Sequence, residues 1–234
     1  RSTLFPYTTL FRSQPLELAA ACICGSDLWP YRGYDKAENR AMGHEYVGTV
    51  VEVGSAVTTV KPGDFVVGSF CISDNTCEIC DSGYPSRCVN GGFVSGTQAE
   101  FVRIPQADGT LVVMPGGRPE DPDVLASLLA ASDVLGTGWF GAVAAEAGPG
   151  KTVAVVGDGA VGLLAILAAK ELGAERVIAM SRNPQRQALA KEFGATDIVE
   201  ERGEEGVSRV KDLTNGLGAR SEEHTSELQS PTSI

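Results

Sequence analysis

A chain of 234 residues with 43% apolar and 21% charged residues has room for one large core or two modest ones, and its composition is that of a globular protein rather than a disordered one. No apolar run reaches the roughly 20 residues that a membrane-spanning helix needs. The formal net charge of −11 repels a phosphate backbone, which argues against nucleic-acid binding through a general basic surface and restricts any phosphate site to a local one.

The two ends differ in patterning from everything between them. Residues 1–13, RSTLFPYTTLFRS, and 220–234, RSEEHTSELQSPTSI, both resemble translated sequencing-adapter DNA, which makes 14–219 the natural segment. Read by composition, the basic, acid-free first end could also pass for part of a transit peptide. His224 lies in the second end, so His44 is the histidine left to carry chemistry.

From 47 to 67, short β-branched runs (VGTVVEV, VTTV, DFVVG) alternate with turns such as Lys61-Pro62-Gly63-Asp64, the pattern of a small all-β barrel or sandwich. A Cys-rich loop follows at 71–88, with strands expected near 98–104 and 110–114. A Pro/Gly/Asp stretch at 115–123 breaks the pattern, and 124–144 reads as helix. After Lys151 the order becomes strand (TVAVV), glycine turn, apolar helix (161–172), strand (RVIAM), helix (184–193), strand (DIVE) and helix (207–214). Alternating units of this kind build a doubly wound parallel sheet. The pattern stops after about three strands where a complete sheet has six, so the second domain reads as truncated. Asn183 followed by Pro184 is a helix start, a side-chain cap before a fixed φ.

Gly157-x-Gly159-x-x-Gly162 lies between an apolar strand and an apolar helix, the context that a dinucleotide fingerprint requires. The first glycine allows the tight turn, the second the approach of a pyrophosphate, the third close helix–strand packing. Ala160 and Val161 then open the helix whose free N–H groups face the phosphates. A ribose-binding acid is expected roughly 20 residues on, but that place reads Met180-Ser181-Arg182. Ser181 and Arg182 can donate to a 2′-phosphate, and no acid stands there to repel it, so NADP is favoured over NAD. Arg182 can also be read as a solvated surface arginine.

The six cysteines stand at 22, 24, 71, 77, 80 and 88, and their spacing suits metal better than a disulfide frame. With no signal peptide visible, a cytoplasmic location is expected. Cys24-Gly25-Ser26-Asp27, the later Gly43-His44-Glu45-x-x-Gly48, the Cys cluster and the glycine turn together resemble the zinc-dependent medium-chain alcohol dehydrogenases. That resemblance implies a fold of class α/β plus β: a GroES-like β-barrel catalytic domain over 14–132, with a zinc lobe at 71–88, followed over 133–219 by a partial Rossmann domain. It further implies Cys24 and His44 as ligands of a catalytic zinc. The family's third ligand is counted back from Thr137-Gly138-Trp139 onto Asp133, where the best-known members carry Cys; a carboxylate is an acceptable substitute. Glu45 is the neighbouring carboxylate able to exchange into the shell, Asp27 would orient His44, Ser26 would take the substrate hydroxyl proton, and Thr137 would face the cofactor. Trp29 stands where many relatives carry a proton-passing histidine.

Cys77-x2-Cys80-x7-Cys88 resembles the family's structural-zinc lobe with Asp74 in place of the first cysteine; Cys71 is an alternative fourth donor, and an empty lobe is a third reading. Cys22 has the wrong register and reads as a small buried residue. Trp29, Tyr31 and Trp139 hint at an aromatic-lined pocket or at core packing. The implied activity is zinc-dependent hydride transfer between an alcohol, or its aldehyde or ketone, and NADP(H). Small-molecule substrates, no nucleic-acid or membrane partner and a homo-oligomeric full-length parent go with it. The rival readings are a nucleotide-binding or redox-sensing relative without catalysis and an inactive fragment, and the chain as written is expected to bind NADP poorly and turn over little.

Overall fold

The computed structural model describes residues 13–36, 40–219 and 221–224, with 13–14 and 221–224 described by backbone alone. Most of the first foreign-looking end, 1–12, and residues 225–234 of the second lie outside the described residues. The described chain divides into two units between Asp133 and Val134.

The first unit is built on one antiparallel sheet. Strand β1 (Ser13–Cys22) pairs on one side with β2 (Glu45–Val50), from Leu16 opposite Val50 to Cys22 opposite Glu45. Its other side pairs with an outer strand at Phe101–Pro105. β3 (Phe65–Gly68) continues from β2, β4 (Cys71–Ile72) and β5 (Gly92–Phe93) form a separate two-stranded ladder, and β6 is the Phe101–Pro105 strand. β7 (Leu111–Val113) closes the order β6-β1-β2-β3-β7. Both faces of the central strands are covered, which is why VGTV and FVVG read as near-continuous apolar runs. Leu16, Tyr46, Val50, Val66 and Ile104 fill one core. Val47, Phe65 and Val67 fill another, beneath Leu125, Leu128 and Leu129.

Those leucines belong to a helix at Pro122–Ala130, capped by the Asp121 side chain on the N–H of Asp123. Three shorter helical turns precede it, so the helices are α1 (Leu28–Tyr31), α2 (Glu78–Asp81), α3 (Ala107–Thr110) and α4 (Pro122–Ala130). The single helix expected over 124–144 is two, because the chain breaks at 131–133 before α5 (Val134–Ala144). Ser132 explains the break: its hydroxyl donates to the Leu129 carbonyl at 2.6 Å and accepts the Tyr46 N–H at 3.2 Å, tying the segment to β2. The VTTV run at 57–60 is loop rather than strand, since the amides and hydroxyls of Thr58 and Thr59 are taken by the Asp108 carboxylate. Cys22, expected to be buried, is exposed, because it ends β1 at the edge of the sheet's coverage.

The second unit alternates as expected: α5, β8 (Thr152–Val156), α6 (Ala160–Glu171), β9 (Arg176–Met180), α7 (Pro184–Phe193), β10 (Asp197–Val199), α8 (Gly203–Leu213). All ladders are parallel and the order is β10-β9-β8-β11. Val153, Val155, Val177 and Ala179 face Ala142 of α5, Ala165, Ile166 and Ala169 of α6 and Ala190 of α7. Ile178, Met180 and Val199 face Val210 of α8. The fourth strand, β11 (Ser221–His224), lies within the end read as foreign, yet its backbone pairs in parallel with β8. An open sheet edge presents unpaired N–H and C=O groups, and an extended segment within reach satisfies them whatever its origin. No single helix among the described residues is long and apolar enough to cross a membrane.

Candidate active site

Cys24 precedes a 3-10 turn at Gly25–Asp27 and caps it: its backbone N–H donates to Asp27 Oδ2 at 3.0 Å. Ser26 sits exposed in that turn, while Asp27 is buried. His44 and Glu45 arrive at the start of β2, the strand paired with β1. Asp133 is the last residue of the 131–133 break. The fold therefore brings four side chains far apart in sequence to one point: the donor atoms of Cys24, His44, Glu45 and Asp133 all lie within 4.8 Å of one another.

His44 is held at both ring nitrogens. Nε2 lies 3.2 Å from Asp133 Oδ2, and Nδ1 lies 3.5 Å from Asp27 Oδ1. Cys24 Sγ is 3.7 Å from the same Asp133 oxygen. Gln98 Nε2 donates to Asp27 Oδ2 at 3.4 Å, and Phe70 meets the His44 ring edge-on at 6.1 Å between centroids, stacked in turn on Phe93. Neither Gln98 nor Phe70 carries a local sequence signal; each is recognisable only once the strands are paired.

The electrostatics are those of a cluster with excess negative charge. The hydrogen bond from Asp133, and next that from Cys24, push the His44 imidazole up to about 10. Burial raises the Glu45 carboxyl, and the Asp133 charge raises it further. One thiol sulfur, one imidazole nitrogen and two carboxylate oxygens at this spacing are an N/O/S donor set suited to a divalent cation such as zinc. A bound cation offsets the repulsion between the two buried acids.

The Cys-rich loop makes a second cluster. Donor atoms of Asp74, Cys77, Cys80 and Cys88 lie within 4.8 Å of one another. Cys77 Sγ is 3.4 Å from Cys80 Sγ and 3.9 Å from Cys88 Sγ. Asp74 is buried; its Oδ1 accepts the N–H groups of Thr76 and Cys77, and Oδ2 accepts Asn90 Nδ2 at 2.7 Å. Asn90 first, and then the Thr76 N–H, hold its carboxyl well below the usual carboxylate range. Three sulfurs and one ionised oxygen fit a closed tetrahedral zinc shell. Cys71 is not part of this cluster: it is buried in β4 opposite Phe93.

In the second unit, Gly157 takes φ +108°, a left-handed conformation that favours glycine, between β8 and α6. Gly159 caps α6, Ala160 and Val161 begin it, and Gly162 is buried within it. Thr137 lies on α5 beside Gly138, whose backbone meets Val161 and Ala165. Arg182 is exposed just past the end of β9. Ser181, the other expected phosphate donor, is fully buried and donates to Asp158 Oδ2 at 2.6 Å. Asp158, inside the glycine turn, also accepts Arg186 at 2.9 Å. Asp158 and Arg186 were not singled out in the sequence. Of the three aromatics, Tyr31 is 86% exposed, with Trp29 and Trp139 at 37% and 41%, so none is core.

Comparison with known proteins agrees with this arrangement. The family described as the alcohol dehydrogenase GroES-like domain matches residues 15–116, and that described as zinc-binding dehydrogenase matches 160–221. A medium chain reductase/dehydrogenase, ucsI, of Acremonium sp is 39% identical, over 87% of this chain and 73% of its own length. Zinc-type alcohol dehydrogenase B of Aspergillus flavus is also 39% identical, but this chain spans only 50% of it. Among solved structures, alcohol dehydrogenase TADH from Thermus sp. ATN1 superposes with a TM-score of 0.79 at 34% identity, covering 94% of this chain and 64% of that one.

Proposed function

The chain belongs to the zinc-dependent medium-chain alcohol dehydrogenase family, and on that premise we propose that it is the larger part of an oxidoreductase that moves a hydride between an alcohol, or the matching aldehyde or ketone, and NADP(H). The observation that carries this reading is the convergence of Cys24, His44, Glu45 and Asp133 beside an exposed Ser26.

Cys24, His44 and Asp133 would hold a catalytic zinc, with Glu45 the adjacent carboxylate. Zinc in that position supplies a Lewis acid that draws electron density from an alcohol or carbonyl oxygen. Asp27 fixes the imidazole through Nδ1 so that Nε2 faces the donor cluster. Ser26 Oγ would accept the proton released from the substrate hydroxyl and pass its own to water or a ribose hydroxyl, since the Trp29 indole N–H can donate but has no acceptor with which to relay a proton. Asp74, Cys77, Cys80 and Cys88 would hold a second, structural zinc.

The glycine turn and the start of α6 would bind the cofactor's pyrophosphate, with Thr137 beside it. The nicotinamide, when bound, supplies the hydride acceptor. Arg182 supports NADP over NAD because an exposed guanidinium at the end of the second strand is placed for a 2′-phosphate. The full-length parent would form homo-oligomers and work in the cytoplasm.

Elemental analysis tests the metal reading directly. Purified chain should carry two zinc ions, and Cys24→Ser one, together with no alcohol-dependent reduction of NADP⁺. An unchanged zinc content in that variant would overturn the site.

A further inference from the structure

The dinucleotide fingerprint places a ribose-binding acid at the end of the second strand. In this chain β9 ends at Met180 and the next residue is Ser181, so the sequence shows no acid there. The fold supplies one from elsewhere. Asp158, in the turn between β8 and α6, reaches across so that its Oδ2 lies 2.6 Å from the Ser181 hydroxyl.

Asp158 is 9% exposed and Ser181 not at all. The second carboxylate oxygen accepts the Arg186 guanidinium at 2.9 Å as an ion pair. Arg186 rises from the first turn of α7, where Asn183 caps the helix by accepting the N–H groups of Gln185 and Arg186. Gln187 Nε2 donates to the Ser181 carbonyl at 2.9 Å. The Ser181 hydroxyl and the Arg186 guanidinium are thus both engaged by one carboxylate. Burial raises the Asp158 carboxyl, but Ser181 and Arg186 more than offset this, so it is ionised at neutral pH. Arg182 forms no ion pair among the described residues and is exposed just past the end of β9; Arg202, whose guanidinium donates to the Met180 carbonyl at 3.2 Å, is a second cation at this strand end.

We propose that Asp158 sets how strongly this site discriminates between NAD and NADP, by occupying Ser181 and Arg186 and placing a negative charge where a 2′-phosphate would stand. The inference rests on the reading that the glycine turn takes a nicotinamide dinucleotide. With Asp158 in place, Ser181 and Arg186 are withheld from a 2′-phosphate, and NADP is preferred only modestly. Without its charge, Ser181 and Arg186 become donors to the phosphate. Two charge-assisted bonds then add to the one from Arg182.

The test is the ratio of dissociation constants for NADH and NADPH, read from the fluorescence of the reduced dinucleotides titrated with this chain. Asp158→Asn should raise the preference for NADPH about tenfold or more. Asp158→Ser, which loses the charge with a smaller side chain, should move it the same way, and circular dichroism on both variants confirms that the unit is folded. Arg186→Gln leaves the carboxylate without its counter-charge, so the preference should fall. The double variant Asp158→Asn/Arg186→Gln has the same local charge sum as the native pair but keeps Ser181 released, so its ratio should fall between the native one and that of Asp158→Asn.

An unchanged ratio in folded Asp158→Asn and Asp158→Ser would overturn the proposal, as would a double variant that keeps the whole gain. The native ratio is a separate outcome: a preference for NADH would sink the NADP reading while the change between variants still judges Asp158. Failure of the native chain to bind either dinucleotide, in titrations carried to the high concentrations that its expected weak binding calls for, would overturn both.

Discussion

Tyr46 and Gly68 stand directly opposite each other on β2 and β3, and the Tyr46 ring lies in the space that a side chain on Gly68 would fill. The ring is fully buried and its hydroxyl donates to the Ser69 carbonyl at 3.3 Å. A bare strand position is thus roofed by its cross-strand neighbour. Gly68→Ala would push a methyl into that ring with no room to turn it aside. The expected cost is about 1 to 3 kcal/mol of stability, typical of overpacking, measured by denaturant unfolding. Because Tyr46 follows His44 and Glu45 directly, the same variant should also lose zinc on dialysis faster than the native chain.

Asp133 tests the third ligand position. Its Oδ2 lies within 3.7 Å of both Cys24 Sγ and His44 Nε2. Asp133→Ala should therefore drop zinc content by about one equivalent, whereas Asp133→Cys, which supplies a thiolate, should retain it. Equal zinc in the alanine variant would take Asp133 out of the shell.

The lobe at 74–88 gives a kinetic prediction. Asn90 holds Oδ2 of Asp74, leaving Oδ1 turned toward the thiols. Asn90→Ala should speed the release of one zinc to a coloured chelator, and Asp74→Cys should slow it, since thiolate binds zinc more tightly than carboxylate does in a closed site. Identical release curves for the native chain and both variants would contradict the S3O set.

Asp108 provides a pH dependence away from any metal. Burial raises its carboxyl, but the N–H groups of Thr59 and Thr58, followed by their hydroxyls, lower it further, for a net shift below the usual value of 3.8. A folded pKa below the unfolded one contributes stability that is present above the unfolded value and lost as pH falls through the folded one. Asp108→Asn should cost about 1 to 2 kcal/mol near pH 7, in line with loss of charged hydrogen bonds. The gap between the two chains should close as pH falls below 3.8 and through the lower folded value. A gap that does not change with pH would show that the loop is held by shape rather than charge.

Legibility in the sequence followed the range of the interaction. β8, β9 and α7 were readable because their signals are local: apolar runs of strand length, and an Asn-Pro helix start. β1 was not, since Ala19, Ala20 and Ala21 carry no strand preference; Ala20 and Ala21 are held extended by the ladder to β2, while the ladder to β6 reaches only Ser13 to Glu17. The loop at 57–60 misled because the β-branched Thr58 and Thr59 serve amide and hydroxyl contacts to Asp108, 50 and 49 residues away. His44 and Asp133 are 89 residues apart, and only the family resemblance, not spacing, put them together. Asp158 escaped notice for the same reason, its partners lying 23 and 28 residues further on.

The ladder between β8 and Ser221–His224 consists of main-chain pairs, so its specificity resides in direction and register rather than in the letters it reads. Such an edge behaves as a rail. A peptide of extended backbone offered in trans could ride it in place of those four residues, which makes the outer side of β8 a seam along which the cofactor unit can be split into two separately produced pieces and reassembled.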